Sequence, residues 1–332
     1  MAMVGAPQET ALDLASLRAS LRAHTGLTGK APIGLIADFL DTSDPITGPG
    51  DDGAIVAVGA GQQGSRQVVV CGEALFPPFV AADPYGAGVA AVLANVNDVA
   101  AMGGVPLAIV NTVVGPPDLA EEIMRGMRDA SEIYEVPIVG GHLTPSDGDV
   151  ALSAFAIGEV TDVLSMANVT PGQALVFVCS LDGQMRTDFP FFTSLDNQAP
   201  RLARDIRLLD QAARSGLAVA AKDVSMAGPI GSLAMLLEYT KRGARIDLDR
   251  LPAPGDTNLG RWLVCFPTYA FWLAVPADAV DACCALFREH DLEAEAVGVV
   301  DDGTTLSLTA GGDVVDFMDL ASEAITGLWL HR

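Results

Sequence analysis

The stretch ANVNDVAAMGGVPLAIV, residues 94–110, changes from a helical pattern to a strand pattern at two glycines. Its Ala-rich first half predicts a helix over 84–102, and the Val-rich continuation predicts a strand over 105–114. Gly103 and Gly104 separate the two elements. Two strands are predicted before this stretch, at 54–58 and 67–71. After it come a helix at 118–134 and strands at 136–139 and 150–159.

A second series of mixed elements follows the turn at Pro171-Gly172, which we take as a domain boundary. Its strands are predicted at 174–180, 268–275 and 294–300, and its helices at 201–215, 228–242 and 277–290. With 332 residues, the chain is long enough for two cores. We therefore predict an α/β or α+β protein of two domains, 50–165 and 170–310. An N-terminal helix with a mobile glycine/lysine loop over 1–49 and a C-terminal tail over 311–332 flank them.

The composition excludes several classes of partner. The chain has 42 acidic and 19 basic residues, a formal net charge of −23, and only three lysines. So acidic a protein lacks the clustered cations that bind nucleic acid or an anionic membrane surface. The five cysteines form no C-x-x-C pair, and the start, MAMVGAPQETALDL, has no signal-peptide pattern. We therefore predict a cytoplasmic protein with no nucleic-acid or membrane partner.

Two glycine motifs resemble nucleotide-binding loops but fail on their context. GAGQQG at 59–64 fits G-x-G-x-x-G, yet only three residues separate it from the apolar run that begins at Val68. That spacing predicts a hairpin, whereas the dinucleotide motif must open a helix. The segment from Gly26 to Lys30 lacks both the first glycine and the final Ser/Thr of a P-loop.

Four acidic clusters stand in or beside predicted turns: Asp51-Asp52, Glu73, Asn97-Asp98 and Asp223. Carboxylates of this kind bind Mg²⁺, which prefers oxygen ligands and is completed by substrate phosphates and water. Through such ions an acidic protein can hold a triphosphate without many lysines. These residues also have interpretations without a metal. Asp-Asp before Gly often forms only a turn, and Asn97-Asp98 could be buried polar residues that cap a helix.

These motifs resemble the aminoimidazole-ribotide (AIR) synthetase superfamily. That group includes selenophosphate synthetase, thiamine-monophosphate kinase, formylglycinamidine-ribotide synthetase and a hydrogenase-maturation protein. The resemblance covers about residues 30–300. It is carried by GDDGAIV at 50–56, the opening stretch at 94–110, VPIVGGHLTPSDG at 136–148 and AAKDVSMAGPIGSLAMLLE at 220–238.

The resemblance implies a two-domain fold in which N-terminal strands of two copies form a shared barrel, hence a homodimer. It implies ATP between the domains, with Mg²⁺ bridging the phosphates to carboxylates. Residue by residue, it assigns metal binding to Asp51, Asp52, Asp98 and Asp223, and nucleotide contact to Gly140, Gly141 and His142. Two further candidate nucleotide-binding residues are Asn97, at the serine position of the motif around Asp98, and Lys222, beside Asp223.

The same resemblance assigns Lys30 to the glycine-flanked lysine that reaches the phosphates in several members; without it, Lys30 is an ordinary solvated loop lysine. Glu73 stands one position after the usual aspartate and supplies a candidate carboxylate. The thiamine kinases' Gly-Gly-Glu-Asp-Tyr segment is replaced here by residues 265–269, which disfavours thiamine monophosphate. Residues 25–29 contain no cysteine, which disfavours selenide chemistry.

We therefore expect an ATP- and Mg²⁺-dependent enzyme that phosphorylates, or activates, an oxygen of a small-molecule acceptor. Lys30 and Asp51 are its candidate catalytic residues. The alternative is an ATP-binding scaffold or regulatory subunit without turnover. Two further features each allow two interpretations. The helix stripe formed by Arg201, Arg204 and Arg207 either binds an anion or is a solvated face. The aromatic loop 188–192 either lines an acceptor pocket or packs on the core.

Overall fold

The computed structural model describes residues 13–59 and 66–329. The helices α1–α10 span Leu14–Ala23, Thr25–Thr28, Pro77–Ala82, Pro84–Ala101, Pro117–Tyr134, Leu195–Asp205, Leu208–Arg214, Gly228–Glu238, Leu259–Trp262 and Val280–Arg288. The strands β1–β15 span Ala54–Val58, Arg66–Ala74, Gly104–Gly115, Ile138–Pro145, Ala151–Val160, Ala174–Cys179, Gln184–Met185, Phe191–Thr193, Ala220–Asp223, Ala244–Asp247, Phe266–Pro267, Ala270–Val275, Glu293–Val300, Thr305–Ala310 and Asp313–Asp319. Two 3₁₀ turns lie at Ala31–Asp38 and Met166–Asn168.

The opening stretch forms a buried helix followed by a long strand. Asp83 caps α4 by accepting from the Gly86 amide, and Pro84 occupies the first turn, where its missing N–H is not needed. The small side chains of α4 let it pack closely on neighbouring elements, and most of the helix is buried. Gly103, with a φ of +75°, ends the helix, so β3 can begin at Gly104.

The first domain is a five-stranded sheet in the order β1-β2-β5-β3-β4, in which only β3 and β4 run parallel. β1 and β2 pair antiparallel with Val58 opposite Arg66, which confirms the hairpin expected around the GAGQQG motif. Residues 60–64 of that motif lie outside the described residues. The helices α4 and α5 cover one face of the sheet and leave large apolar side chains exposed on the other.

The second domain contains a seven-stranded sheet in the order β15-β14-β10-β13-β6-β12-β9. One face packs with α1 and α8, whereas the other shares a continuous core with the first domain through residues such as Val176 and Phe271. β9 forms the edge of this sheet. A separate small sheet, β11-β8-β7, carries the aromatic loop that precedes Phe191.

The structure departs from the predicted elements in several places, among them strands such as β9 and β10 that were not predicted. The predicted helix 201–215 is two helices, α6 and α7, which separate at Ile206-Arg207. Residues 311–329, expected as a tail, instead supply β15 and bury Trp329 beside Tyr239. The glycine/lysine loop expected before residue 50 contains the short helix α2, in which Gly26 lies where a Cβ would be 1.8 Å from the Met226 carbonyl oxygen.

Among the residues that the structure describes, no helix is both long and apolar enough to cross a bilayer.

Candidate functional site

Three carboxylates from separate elements meet where the two domains touch. Asp52 precedes β1, Asp98 lies on the last turn of α4, and Asp223 ends the edge strand β9. Ligand oxygens of the three lie within 4.8 Å of one another. Because β9 is the strand at the sheet edge, its final residue can face the first domain, and the backbone amide of Asp223 donates to Asp52 Oδ2 at 3.2 Å.

Burial strongly affects the protonation of this cluster. It raises the pKa of Asp52 and of Asp98 well above the ordinary value, and the nearby Asp223 carboxylate adds to both shifts. Like charges held this close in a buried site favour a proton or a cation between them. A divalent cation with oxygen ligands fits these three donors, since carboxylates are the groups that Mg²⁺ prefers.

Lys222 supplies one positive charge inside the cluster. Its ammonium group is ion-paired with both Asp52 and Asp223, and its side chain is only 9% exposed. Burial alone would lower the pKa of Lys222, but the carboxylates of Asp223, Asp52 and Asp98 raise it well above its ordinary value. In the sequence, Lys222 stands beside a family motif. In the structure, its ammonium group is a counter-ion to the carboxylates of the cluster.

The Asp51 carboxylate is not among the three whose oxygens lie within 4.8 Å of one another. Its Oδ2 accepts from Ser165 Oγ at 2.7 Å and from the Met166 amide at 2.9 Å, at the start of the 3₁₀ turn that joins the domains. Burial raises the pKa of Asp51 to about 6, and the hydrogen bond from Ser165 opposes the shift. The structure therefore shows Asp51 fastening the Asp52 loop to the interdomain turn, with Ser165 a partner that the sequence did not indicate.

Lys30 and Glu73 border a cavity of about 520 Å³ beside the cluster, and Asp223 lines it too. Burial raises the pKa of Glu73, while the charge of Lys30 opposes the shift. Lys30 is half-buried at the start of the 3₁₀ turn that follows α2. The cavity is therefore lined by one cation, Lys30, and by the carboxylates of Glu73 and Asp223, a combination that suits a ligand with phosphates and a metal.

Asn97 is buried between the domains. Its Nδ2 donates to the Thr268 carbonyl oxygen at 3.2 Å, whereas its Oδ1 is buried without a hydrogen-bond partner in the structure. This contact ties α4 to the second domain. Nucleotide contact by Asn97 stays a prediction.

Gly140, Gly141 and His142 do not reach the acidic cluster within one chain. They lie on β4, at the far edge of the first sheet, with β5 and β3 between them and the strand of Glu73. There they border a different cavity together with Asn111. Gly141 fits because a Cβ would lie 1.8 Å from Asn111 Oδ1, and His142 is exposed.

The aromatic loop lines the cavity at Phe189, together with three further phenylalanines that sequence reasoning missed: Phe76, Phe79 and Phe266. Phe79 and Phe189 stack, with ring centroids 5.3 Å apart and planes within 9°. The sequence feature that could have indicated Phe76 and Phe79 is the segment LFPPF at 75–79, which directly follows the strand of Glu73.

The arginine stripe is balanced by acidic neighbours. Arg204 pairs with Asp205 at 2.6 Å, and Arg201 pairs with Asp182 at 3.3 Å. Arg207 donates instead to the Ala203 carbonyl. These contacts favour the interpretation of the stripe as a charged, partly solvated helix face.

Comparisons with known proteins agree with this architecture. A Synechocystis protein, sll0787, of uncharacterized function is 35% identical over 78% of this chain and 82% of its own length. Thermotoga maritima PurL complexed with ATP superposes with a TM-score of 0.75 at 19% identity, over 93% of this chain and 52% of PurL. The chain therefore spans about half the length of PurL.

AaThiL complexed with AMPPCP and TMP superposes with a TM-score of 0.60 at 19% identity, over 81% of this chain and 91% of that chain. The family model for the N-terminal domain of AIR synthase related proteins matches residues 50–160, and the model for their C-terminal domain matches residues 171–311. With both domains matched in order, the chain belongs to the AIR synthase related protein family.

Proposed function

We propose that this protein binds ATP with Mg²⁺ in the cavity bordered by Lys30 and transfers the γ-phosphoryl group to an oxygen of a small-molecule acceptor. The observation that carries the proposal is the convergence of Asp52, Asp98 and Asp223 within 4.8 Å beside that cavity. PurL complexed with ATP and AaThiL complexed with AMPPCP, which share the fold, support a nucleotide ligand.

The chemistry of each side chain indicates its proposed role. Asp52, Asp98 and Asp223 would hold the metal, with Glu73 as a further carboxylate on the cavity wall. Bound Mg²⁺ would neutralise phosphate charge and orient the phosphoryl group. Lys30 supplies a point charge for the phosphates. Asp51, expected from the sequence as a ligand, would instead fix the loop that presents Asp52.

In the transfer, an acceptor oxygen forms a bond to the γ-phosphorus while the bond from that phosphorus to the β,γ-bridging oxygen breaks, which releases ADP. A hydroxyl acceptor also loses a proton, and Glu73 can accept it because its carboxylate lines the cavity.

We further propose a homodimer through the open face of the five-stranded sheet. Large apolar side chains between 37% and 64% exposed lie on the strands of this face: Val56, Val70, Val110, Val139, Phe155 and Ile157. Exposed apolar patches of this kind mark association surfaces. Contact of Gly140, Gly141 and His142 with a nucleotide would require the second copy, because within one chain they border a different cavity.

The function is tested by titrating ATP calorimetrically into the wild-type protein and the variants Asp98→Asn and Asp223→Asn, each with Mg²⁺. We expect the affinity of both variants to fall at least tenfold, since each loses a metal ligand. The matched control is Asp278→Asn, an exposed carboxylate outside the site, which should bind as the wild type does. Unchanged affinity in the two site variants, with their fold intact, would contradict the assignment.

The alternative function, a nucleotide-binding scaffold without turnover, is favoured by one observation. Lys222 already pairs with both Asp52 and Asp223 and so offsets part of their negative charge within the cluster. A single-turnover assay of ADP release from bound ATP, with and without candidate acceptors, separates the two functions. Release that depends on an acceptor supports the enzyme. Binding of ATP without release under every condition supports the scaffold.

A further inference from the structure

The cavity beside Lys30 has two chemically different sides. Lys30, Glu73 and Asp223 form a charged side, and four phenylalanines form an aromatic side. Three of those rings, Phe79, Phe189 and Phe266, also border an adjoining cavity of about 140 Å³ that none of the three charged residues lines. The aromatic side therefore extends away from the proposed phosphate site.

Positive charge is scarce around this cavity. Among the described residues that line it, Lys30 is the only cation. Arg186 borders the adjoining cavity, but its guanidinium pairs with Asp83 at 3.0 Å and with Asp188 at 2.7 Å. An acceptor that carried its own phosphate would have to share Lys30 with ATP, and placing an unpaired phosphate near buried carboxylates is unfavourable.

The aromatic side offers contacts of another kind. The rings of Phe79 and Phe189 are stacked, and those of Phe191 and Phe266 stack behind them with centroids 4.9 Å apart. Phe76 is 59% exposed although it lies on the cavity wall. Aromatic ligands bind such walls through burial and ring–ring contact, with no need for charge.

We propose that the acceptor is a small aromatic molecule without a phosphate group, and that Phe189 determines this specificity. The ring lies among Phe76, Phe79 and Phe189, and the reactive oxygen faces Lys30 and Asp223. This inference rests on the proposed phosphoryl transfer for the role of the ligand, but the binding site itself is defined by the phenylalanines alone.

The experiment compares two probes by ligand-observed NMR titration. Benzyl alcohol is aromatic, uncharged and carries a hydroxyl, whereas ribose 5-phosphate is non-aromatic and carries a phosphate. We expect the wild-type protein to bind benzyl alcohol in preference to ribose 5-phosphate. Phe189→Ala should bind benzyl alcohol about tenfold more weakly, the factor that corresponds to one lost aromatic contact.

Two controls make the comparison specific. Phe39→Ala removes a phenylalanine that is 84% exposed and borders neither cavity, and it should bind benzyl alcohol as the wild type does. Phe189→Leu keeps an apolar side chain and should bind with intermediate affinity. If Phe189→Ala fails to fold, as judged by thermal unfolding, the leucine variant still tests the aromatic contact.

Three results would overturn the inference: preferred binding of ribose 5-phosphate, benzyl alcohol affinity that is unchanged in both Phe189 variants, or competition between benzyl alcohol and AMPPCP. The last would show that the adenine, rather than the acceptor, occupies the aromatic side. ATP binding is measured separately. If benzyl alcohol binding depends on Phe189 while ATP does not bind, the proposed function fails and the aromatic site stands.

Discussion

At the scale of single residues, the central feature is a buried lysine among buried carboxylates. Lys222 pairs with Asp52 and Asp223, and Asp98 lies within the same cluster. Removing one partner of a buried ion pair leaves charge without compensation and typically destabilises a protein by about 3–5 kcal/mol. Lys222 therefore stabilises the junction of the two domains before any ligand binds.

The first prediction concerns Lys222→Met. Its free energy of unfolding, measured with urea in EDTA, should be about 3–5 kcal/mol below that of the wild type. Mg²⁺ should restore part of this loss, because a divalent cation can replace the missing charge. Arg214→Met, which removes an exposed ion pair, is the control and should change stability by no more than about 1 kcal/mol. Equal stability of both variants in EDTA would contradict this role of Lys222.

At the scale of elements, the sequence predicted the parts with strong local patterns. The helix over 84–102 and the strand over 105–114 are confirmed to within one residue at each end, because glycines and a capping aspartate mark their limits. Short strands such as β9 were missed, since four residues carry no periodicity. The helix break at Ile206-Arg207 was missed for a different reason: no Gly or Pro stands there, and apolar residues on both sides of the break are buried in one core.

The candidate site could be predicted only in part, because only some of its residues stand in recognisable local motifs. Asp52, Asp98 and Asp223 stand in recognisable motifs, so the sequence indicated them, and the structure brings them together. The aromatic side of the cavity joins residues up to 190 positions apart, Phe76 and Phe266 among them, and only the fold makes them neighbours. Similarly, nothing local indicated that Asp51 would bond to Ser165.

The second prediction concerns the loop that carries Phe189. Hydrogen bonding to the Arg186 guanidinium lowers the pKa of Asp188 to about 2. Because this folded-state pKa is below the value of the unfolded chain, the stabilising contribution is complete above about pH 4 and is lost as the pH falls through 2. NMR titration of the Asp188 carboxyl carbon should show this low pKa. In Arg186→Met it should return towards the ordinary value of about 3.9; an unshifted titration would exclude the ion pair.

At the scale of the whole molecule, the first sheet has one covered face and one open face. Helices α4 and α5 cover the first, and exposed residues such as Val139 and Phe155 lie on the second. A stable dimer buries about 800 Å² per partner, and a five-stranded sheet is large enough to supply that area.

The third prediction is that sedimentation velocity shows a dimer for the wild type and a monomer for Phe155→Asp. A charge placed in an apolar interface would have to be desolvated on association, which disfavours the dimer. Val314→Asp, on β15 and 54% exposed, is the control and should remain dimeric. A wild-type monomer at micromolar concentration would refute the dimer.

The most direct test of the account measures whether ATP and a divalent cation bind together. Mn²⁺ takes the same oxygen ligands as Mg²⁺, and its free concentration can be followed by electron paramagnetic resonance. We predict that ATP raises the affinity of the protein for Mn²⁺, that Mn²⁺ raises the affinity for ATP by the same factor, and that Asp98→Asn abolishes both effects. ATP binding that is equally tight in EDTA, or Mn²⁺ uptake by Asp98→Asn that matches the wild type, would contradict the proposed site.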